Sequence, residues 1–260
     1  MSDLGYFGPG SVTWRVHAEP LAMVGGLRAL LLQALHPEAM RLLHERSSYQ
    51  DDPWARLIRT AEFVATLTFG TTADVDAAAA HVRAVHARLG IDDPDQLAWV
   101  HACEVDSFLL TAQRSGVALG PGDADRYVRE QIRSATLVGV PDELVPRRVS
   151  ELENYFGRIR PSLALTREAF DAARHIVVPP MPVPRPWYLP ARVGWSAISS
   201  LAIGLLPGWA RRMYRLPPLP GSALTTTASL HALRRASSVL PRRWREGPHY
   251  RAAQERELAG

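Results

Sequence analysis

The 260-residue chain has no lysine, and its one cysteine is Cys103. A single thiol forms no internal disulfide, which excludes a small stapled secreted fold and fits a reducing, cytoplasmic compartment. The signatures of the common enzyme classes are missing too: no G-x-S-x-G elbow, no phosphate-binding G-x-x-x-x-G-K-[ST] loop, no G-x-G-x-x-G behind a strand, no H-E-x-x-H and no C-x-x-C. No run approaches the roughly 18 apolar residues of a spanning helix. The longest candidates, residues 27–35 and 193–206, are short or interrupted. The start, MSDLGYFGPGS, has neither a basic region nor an apolar run, so no signal peptide is expected. Period-two alternation is nowhere sustained, and no repeat of solenoid length occurs, so neither a strand nor a repeat fold is expected.

The composition is 47% hydrophobic and 22% charged, enough for a large core without disulfides. Charge is distributed unevenly. Residues 1–184 hold 18 Arg against 23 acidic residues, whereas residues 185–260 hold 12 Arg against 3 Glu. A basic tail is attracted to polyanions and offers a peripheral contact to an anionic membrane. The plainer alternative is a solvated basic face. No recognition motif accompanies the charge, so nucleic acid is not an expected partner.

The pattern reads as helix throughout. Ser11 is an expected N-cap for a helix to about Glu19. Residues 21–35 are strongly apolar and end at His36-Pro37. Pro37, Pro53 and Pro94 each suit the first turn of a new helix, running to about Arg46, Phe69 and Arg114. Further helices are expected over 74–89, 125–138, 142–159 (one or two), 162–176, 193–206, 208–214 and 225–239. SSYQDDP, GVALGPGDAD and PPLPGS read as loops. Residues 177–191 carry six prolines in fifteen positions and read as an extended connector. The expected organisation is an all-α domain over 1–176, the Pro-rich connector 177–191, and a basic helical extension over 192–260 that packs on the same domain.

Three constellations could carry chemistry. Arg56, Arg59 and Thr60 stand at i, i+3 and i+4 and share a helix face able to hold carboxylates or an oxygen ligand; surface pairing with Asp52 or Glu62 is the alternative. In AAAAHVRAVHARLG, residues 77–90, Arg83 and His86 are one turn apart, while His81 lies about 140° from His86. Those two histidines do not serve one metal from one helix. A single His on a small-residue helix can be an axial haem ligand, with alanines letting a flat macrocycle approach; a solvated His is the plainer reading. In WVHACEVDSF, His101 and Cys103 face different ways, and Cys103 reads as a buried structural thiol. His36 and His44 lie about 80° apart round a helix, with Pro37 between them, which argues against a zinc site.

Taken in order, LLLQALHPEA, SSYQDDPWARLIRT, FVATLTFGT, VRAVHARLG, DQLAWVHACEVDSFL, DADRYVREQ and LVGVP resemble the MpaB-like/rubber-oxygenase (latex clearing protein) family over about residues 26–155, with LLPGWARRMYRLP resembling its usual ending. The resemblance implies an all-α, globin-related domain that binds one b-type haem through a single proximal histidine. Carried onto this chain, it makes His86 the iron ligand, Arg83 its neighbouring charge, and Arg56 and Thr60 the family's R-x-x-x-T. Arg59 stands where the rubber-cleaving members have a distal lysine. Met40 lies near the position of their distal glutamate, with His36 and Gln33 close by, so no general base is placed. His36 and His101 are reserve ligands.

The function so implied is a haem b-dependent oxygenase, with O2 bound opposite His86 and hydrogen-bonded by Arg59 and Thr60. The substrate is a hydrophobic, isoprenoid- or lipid-like chain in an apolar channel beside residues 27–35. The tail tryptophans Trp187, Trp195 and Trp209 either meet a membrane or pack between the tail and the body. Two alternatives stay open: a haem-binding or redox-sensing module without turnover, and a membrane- or partner-binding helical protein.

Overall fold

Six of the described helices start where a side chain supplies an oxygen or nitrogen acceptor for a first-turn N–H. In the computed structural model, which describes residues 2–47, 52–217 and 220–259, Ser11 caps α1 (Val12–His17) and His36 caps α3 (Pro37–Arg46). Asp52 caps α4 (Pro53–Phe69), Asp93 caps α6 (Pro94–Ser115) and Thr166 caps α9 (Arg167–Val177). At α5 (Thr72–Leu89), Thr71 and Asp74 form a reciprocal capping box, and Gly90 closes the helix in the left-handed region at φ 61°. Such caps contribute about 1 kcal/mol each. The proline-first-turn expectation holds for Pro37, Pro53 and Pro94. The remaining helices are α2 (Ala22–Gln33), α7 (Asp123–Leu137), α8 (Val149–Ile159), α10 (Arg185–Gly204), α11 (Gly208–Met213), α12 (Ser222–Ser238), α13 (Arg242–Arg245) and α14 (Pro248–Ala259). No strand occurs among the described residues, so the all-α expectation is met.

The packing centres on α2 and α6, whose mutual contact is the most extensive in the molecule. Gly25 permits it: a Cβ there would lie 3.0 Å from Phe108 Cδ1 and 3.2 Å from the Ser107 carbonyl oxygen. The tail shares this core. Trp195, Leu205, Leu206 and Leu230 are buried in one cluster with Leu27, Leu32 and Trp99. α10 packs on α2, α12 on α6, and α14 on α4. Burying each of those tail leucines contributes about 2 kcal/mol. The α10–α12 crossing leaves no room beyond a hydrogen, since a Cβ on Gly204 would meet Thr226 Oγ1 at 2.2 Å.

The connector is shorter than expected. Only residues 178–184 run without helix between α9 and α10, and α10 begins inside the proline-rich stretch at Arg185. Pro186 falls in its first turn, where a missing N–H removes no bond. Pro190 lies inside the helix, where its neighbours are exposed and water can solvate the freed carbonyl. The inward face Trp195–Ser199–Ala202 anchors the rest. Tertiary packing thus overrides the local breaker. The expected 162–176 helix begins later, at Arg167, because Arg160–Ser162 form a 3-10 turn and Thr166 supplies the cap. The 142–159 stretch is a 3-10 turn, Asp142–Leu144, followed by α8. The expected SSYQDDP and PPLPGS loops lie partly outside the described residues. Among the described residues, no helix is long and apolar enough to cross a membrane.

Candidate functional site

Leu97, His101, Glu104 and Phe108 recur at spacings of four, three and four, so they share one face of α6. Leu57, Thr60, Ala61 and Val64 do the same on α4. With Leu27, Leu30 and Gln33 of α2 and Trp195 and Ile198 of α10, these α4 residues and Glu104 and Phe108 of α6 line a cavity of about 440 Å³, which Leu97 and His101 do not reach. That size falls within the range of small-molecule sites. Its wall is apolar apart from His17, Gln33, Thr60 and Glu104. Met23 and Ile58, both half exposed, stand at its mouth, and Glu104 and Phe108 of the central helix form its floor. A smaller cavity of about 90 Å³ lies across the shared wall of Trp54, Leu57, Thr60 and Trp195, and adds Met40, Leu43, Arg56 and His175. Trp54 and Trp195 meet edge to face at 4.6 Å.

The polar groups differ in how they are satisfied. Thr68 Oγ1 donates to the Val64 carbonyl at 2.9 Å, so it accepts from His17 Nδ1–H at 2.7 Å. His17 Nε2 then accepts from the Tyr127 hydroxyl at 2.9 Å. Burial pushes the His17 pKa down to about 4, so the imidazole stays neutral. Glu104 has a hydrogen-bond neighbour in Gln33 Nε2, at a long 3.5 Å. Burial raises the Glu104 carboxyl to about 7 against the weaker pull of that amide. Neither His17 nor Glu104 was singled out from the sequence. Glu104 was findable, as an acid on the buried face defined by Leu97, His101 and Phe108.

His86 lies on the inward stripe of α5, below Val75, Ala79 and Val82, and is half-buried. Its Nδ1 is buried with no hydrogen-bond partner, and desolvation lowers its pKa despite Asp92 nearby. α4 and α5 form a hairpin turning at Gly70 and Thr71, so the His86 end of α5 runs back beside the α4 end that carries Arg56, Arg59 and Thr60. Arg46 ties α3 to the same end, donating to the Leu89 and Gly90 carbonyls.

The other residues singled out from the sequence are divided. Thr60 lines both cavities and donates to the Arg56 carbonyl at 3.0 Å; Arg56 lines the smaller one. Arg59 is exposed and lines neither cavity. Arg83 is exposed, and its guanidinium donates to the Leu137 carbonyl at the end of α7, so it serves a helix terminus rather than the His86 face. His36 accepts from Ala39 N–H as the α3 cap. His101 is buried with Nε2 unpartnered, and burial pushes its pKa down to about 4. Cys103 is fully buried and its thiol is pushed well up, so it is an inert core residue. Trp195 is buried in the cavity wall, and Trp209, partly buried, packs near Phe156 under Arg160. Among the described residues, no group of three or more His, Cys, Asp and Glu is arranged to hold a metal ion.

No curated protein and no solved structure matches the chain. A family model does, over residues 14–239: that of the ER-bound oxygenase mpaB/B'/Rubber oxygenase, catalytic domain. The match spans the body, the helical cavity wall and most of the tail, and the chain belongs to this oxygenase family.

Proposed function

We propose that this oxygenase is haem b-dependent and acts on a hydrophobic, isoprenoid- or lipid-like substrate with O2. The observation that carries the reading is His86: an imidazole on an inward helix stripe whose pKa burial lowers, with a buried nitrogen that finds no protein partner. Buried polar atoms are rarely left so, and an unpartnered one calls for a ligand or a second-shell bond. A haem would need only one imidazole from the protein to hold its iron, which a lone histidine such as His86 would provide. His86 lines neither cavity, so its candidacy rests on the unpartnered nitrogen, whereas Arg56 and Thr60 stand in the cavity walls. His86 would ligate the iron, and Arg56 at the cavity edge would offer a cation to the haem carboxylates.

When bound, the haem supplies one-electron and O2 chemistry. The chain supplies the surroundings. Leu27, Leu30, Leu57 and Val64 hold an apolar chain and exclude water. The Thr60 hydroxyl is a donor already in the cavity wall, and by turning from the Arg56 carbonyl it would offer a hydrogen bond to a polar atom in the cavity. Arg59 would reach the cavity only by swinging inward from its exposed position. Arg83 keeps the α5–α7 contact in place.

Cytoplasmic location is part of the reading, supported by a single reduced, buried Cys103. So is peripheral contact with an anionic membrane. The first turns of α10 expose Trp187, Leu189 and Val193 beside Arg185, the composition of an interfacial helix. Sedimentation with anionic vesicles should fall with added salt and with Trp187→Ala.

A second reading, haem binding without turnover, is favoured by Met40 near the position where rubber-cleaving relatives carry a glutamate. Oxygen uptake on an isoprenoid separates the two. The haem itself is tested by the absorption spectrum of the full chain expressed with haem precursor. A Soret band lost or shifted in His86→Ala supports the reading. A chain that stays colourless with added hemin overturns it.

A further inference from the structure

Among the described residues that line the cavity, Glu104 is the one carboxyl group and there is no arginine. The groups that act on Glu104 are the apolar walls, which desolvate it, and the Gln33 amide at 3.5 Å. The nearby imidazole of His17 is committed on both nitrogens to Thr68 and Tyr127, and stays neutral. An acid on the floor of an apolar cavity lowers stability unless something pairs with it, and such groups mark functional sites.

We infer that Glu104 is a head-group recognition site: the cavity takes an aliphatic chain ending in a hydroxyl, with the hydroxyl against Glu104 and Gln33 and the chain running to the mouth at Met23 and Ile58. The choice of head follows from chemistry. A hydroxyl donates to a carboxylate and accepts from a carboxylic acid, so it suits both forms of a group that titrates near 7. An ammonium would carry a full charge into the cavity and lose its hydration. A carboxylate head would meet a like charge. A plain hydrocarbon would leave the partly buried acid with only the long Gln33 contact. This names the substrate head of the oxygenase just proposed and rests on that reading for turnover, but not for binding.

The test is tryptophan fluorescence of the full chain, read through Trp54 and Trp195 in the wall, titrated with decanol, decane, decylamine and decanoate. Decanol should bind about tenfold tighter than decane, as one buried hydrogen bond to an ionisable group provides. Glu104→Leu should abolish that preference while decane binding is kept, and Glu104→Gln should retain most of it. The inference is overturned if the native chain binds decane, decylamine or decanoate as tightly as decanol. It is also overturned if a folded Glu104→Leu, checked by circular dichroism, keeps the preference. If Glu104→Leu does not fold, the ranking on the native chain decides. Haem content is recorded for each preparation, so a colourless chain that still prefers decanol separates failure of the haem reading from failure here.

Discussion

Arg28 Nε, buried on α2, donates to the carbonyl oxygen of Leu205 at the end of α10 at 2.9 Å. The same guanidinium reaches Ser107 Oγ at 2.6 Å and Asp106 at 2.7 Å on α6. One side chain thus joins two central helices to the tail and satisfies a helix-terminal carbonyl. Arg28→Met should destabilise the chain by about 3 kcal/mol, because it strands buried acceptors and leaves Asp106 without its cation. The shift should appear in the urea midpoint with little change in slope.

Removing residues 185–260 should abolish cooperative unfolding rather than release a folded body. The deletion strips Trp195, Leu205, Leu206 and Leu230 from the central cluster and exposes α2 and α6. Differential scanning calorimetry of the 1–184 fragment checks this. A sharp transition near that of the full chain would show the tail to be dispensable.

Acid should unfold the chain early. His17 and His101 have pKa values pushed down to about 4 in the folded state, against about 6.5 unfolded. A depressed histidine means that the unfolded chain binds more protons, so stability is full above 6.5 and falls as pH drops toward 4. At pH 5 each should have lost about 2 kcal/mol. Glu104 pulls the other way between about 4.5 and 7, but one carboxyl does not offset two imidazoles. Urea unfolding at pH 7 and pH 5 should show the drop, and His17→Gln should remove a large part of it.

Glu104→Leu should stabilise the chain above neutrality. A carboxyl raised to about 7 favours folding fully below its unfolded value near 4.5, and loses that contribution as pH rises through 7. Water at the open mouth reduces the effect, so a gain of about 1–2 kcal/mol is expected at pH 8 and little at pH 4.5. Parallel urea curves at the two pH values test the sign.

Much of this was legible in the chain. The first-turn prolines and Gly90 act on neighbouring residues, so they can be read from neighbours alone, whereas the Thr71–Asp74 box starts α5 at Thr72, two residues before the expected Asp74. The Leu27, Thr60 and His86 stripes follow from helical spacing. Other features were not legible. Arg83 and His86 are one turn apart, yet the first ends on Leu137 and the second turns inward, because α7 happens to pass beside one of them. Pro190 reads as a breaker, and only the packing of Trp195 and Ala202 below it keeps α10 whole.

The sequence by itself determined an all-helical chain, the helix starts at Pro37, Pro53 and Pro94, and the membership that its ordered motifs carry, since caps, periodicity and motif order are local or additive. The tertiary structure decided which polar groups face the cavity. Glu104, His17 and Thr60 come from three helices far apart in the chain, and their burial, pairing and proton affinity arise only when those helices enclose one space.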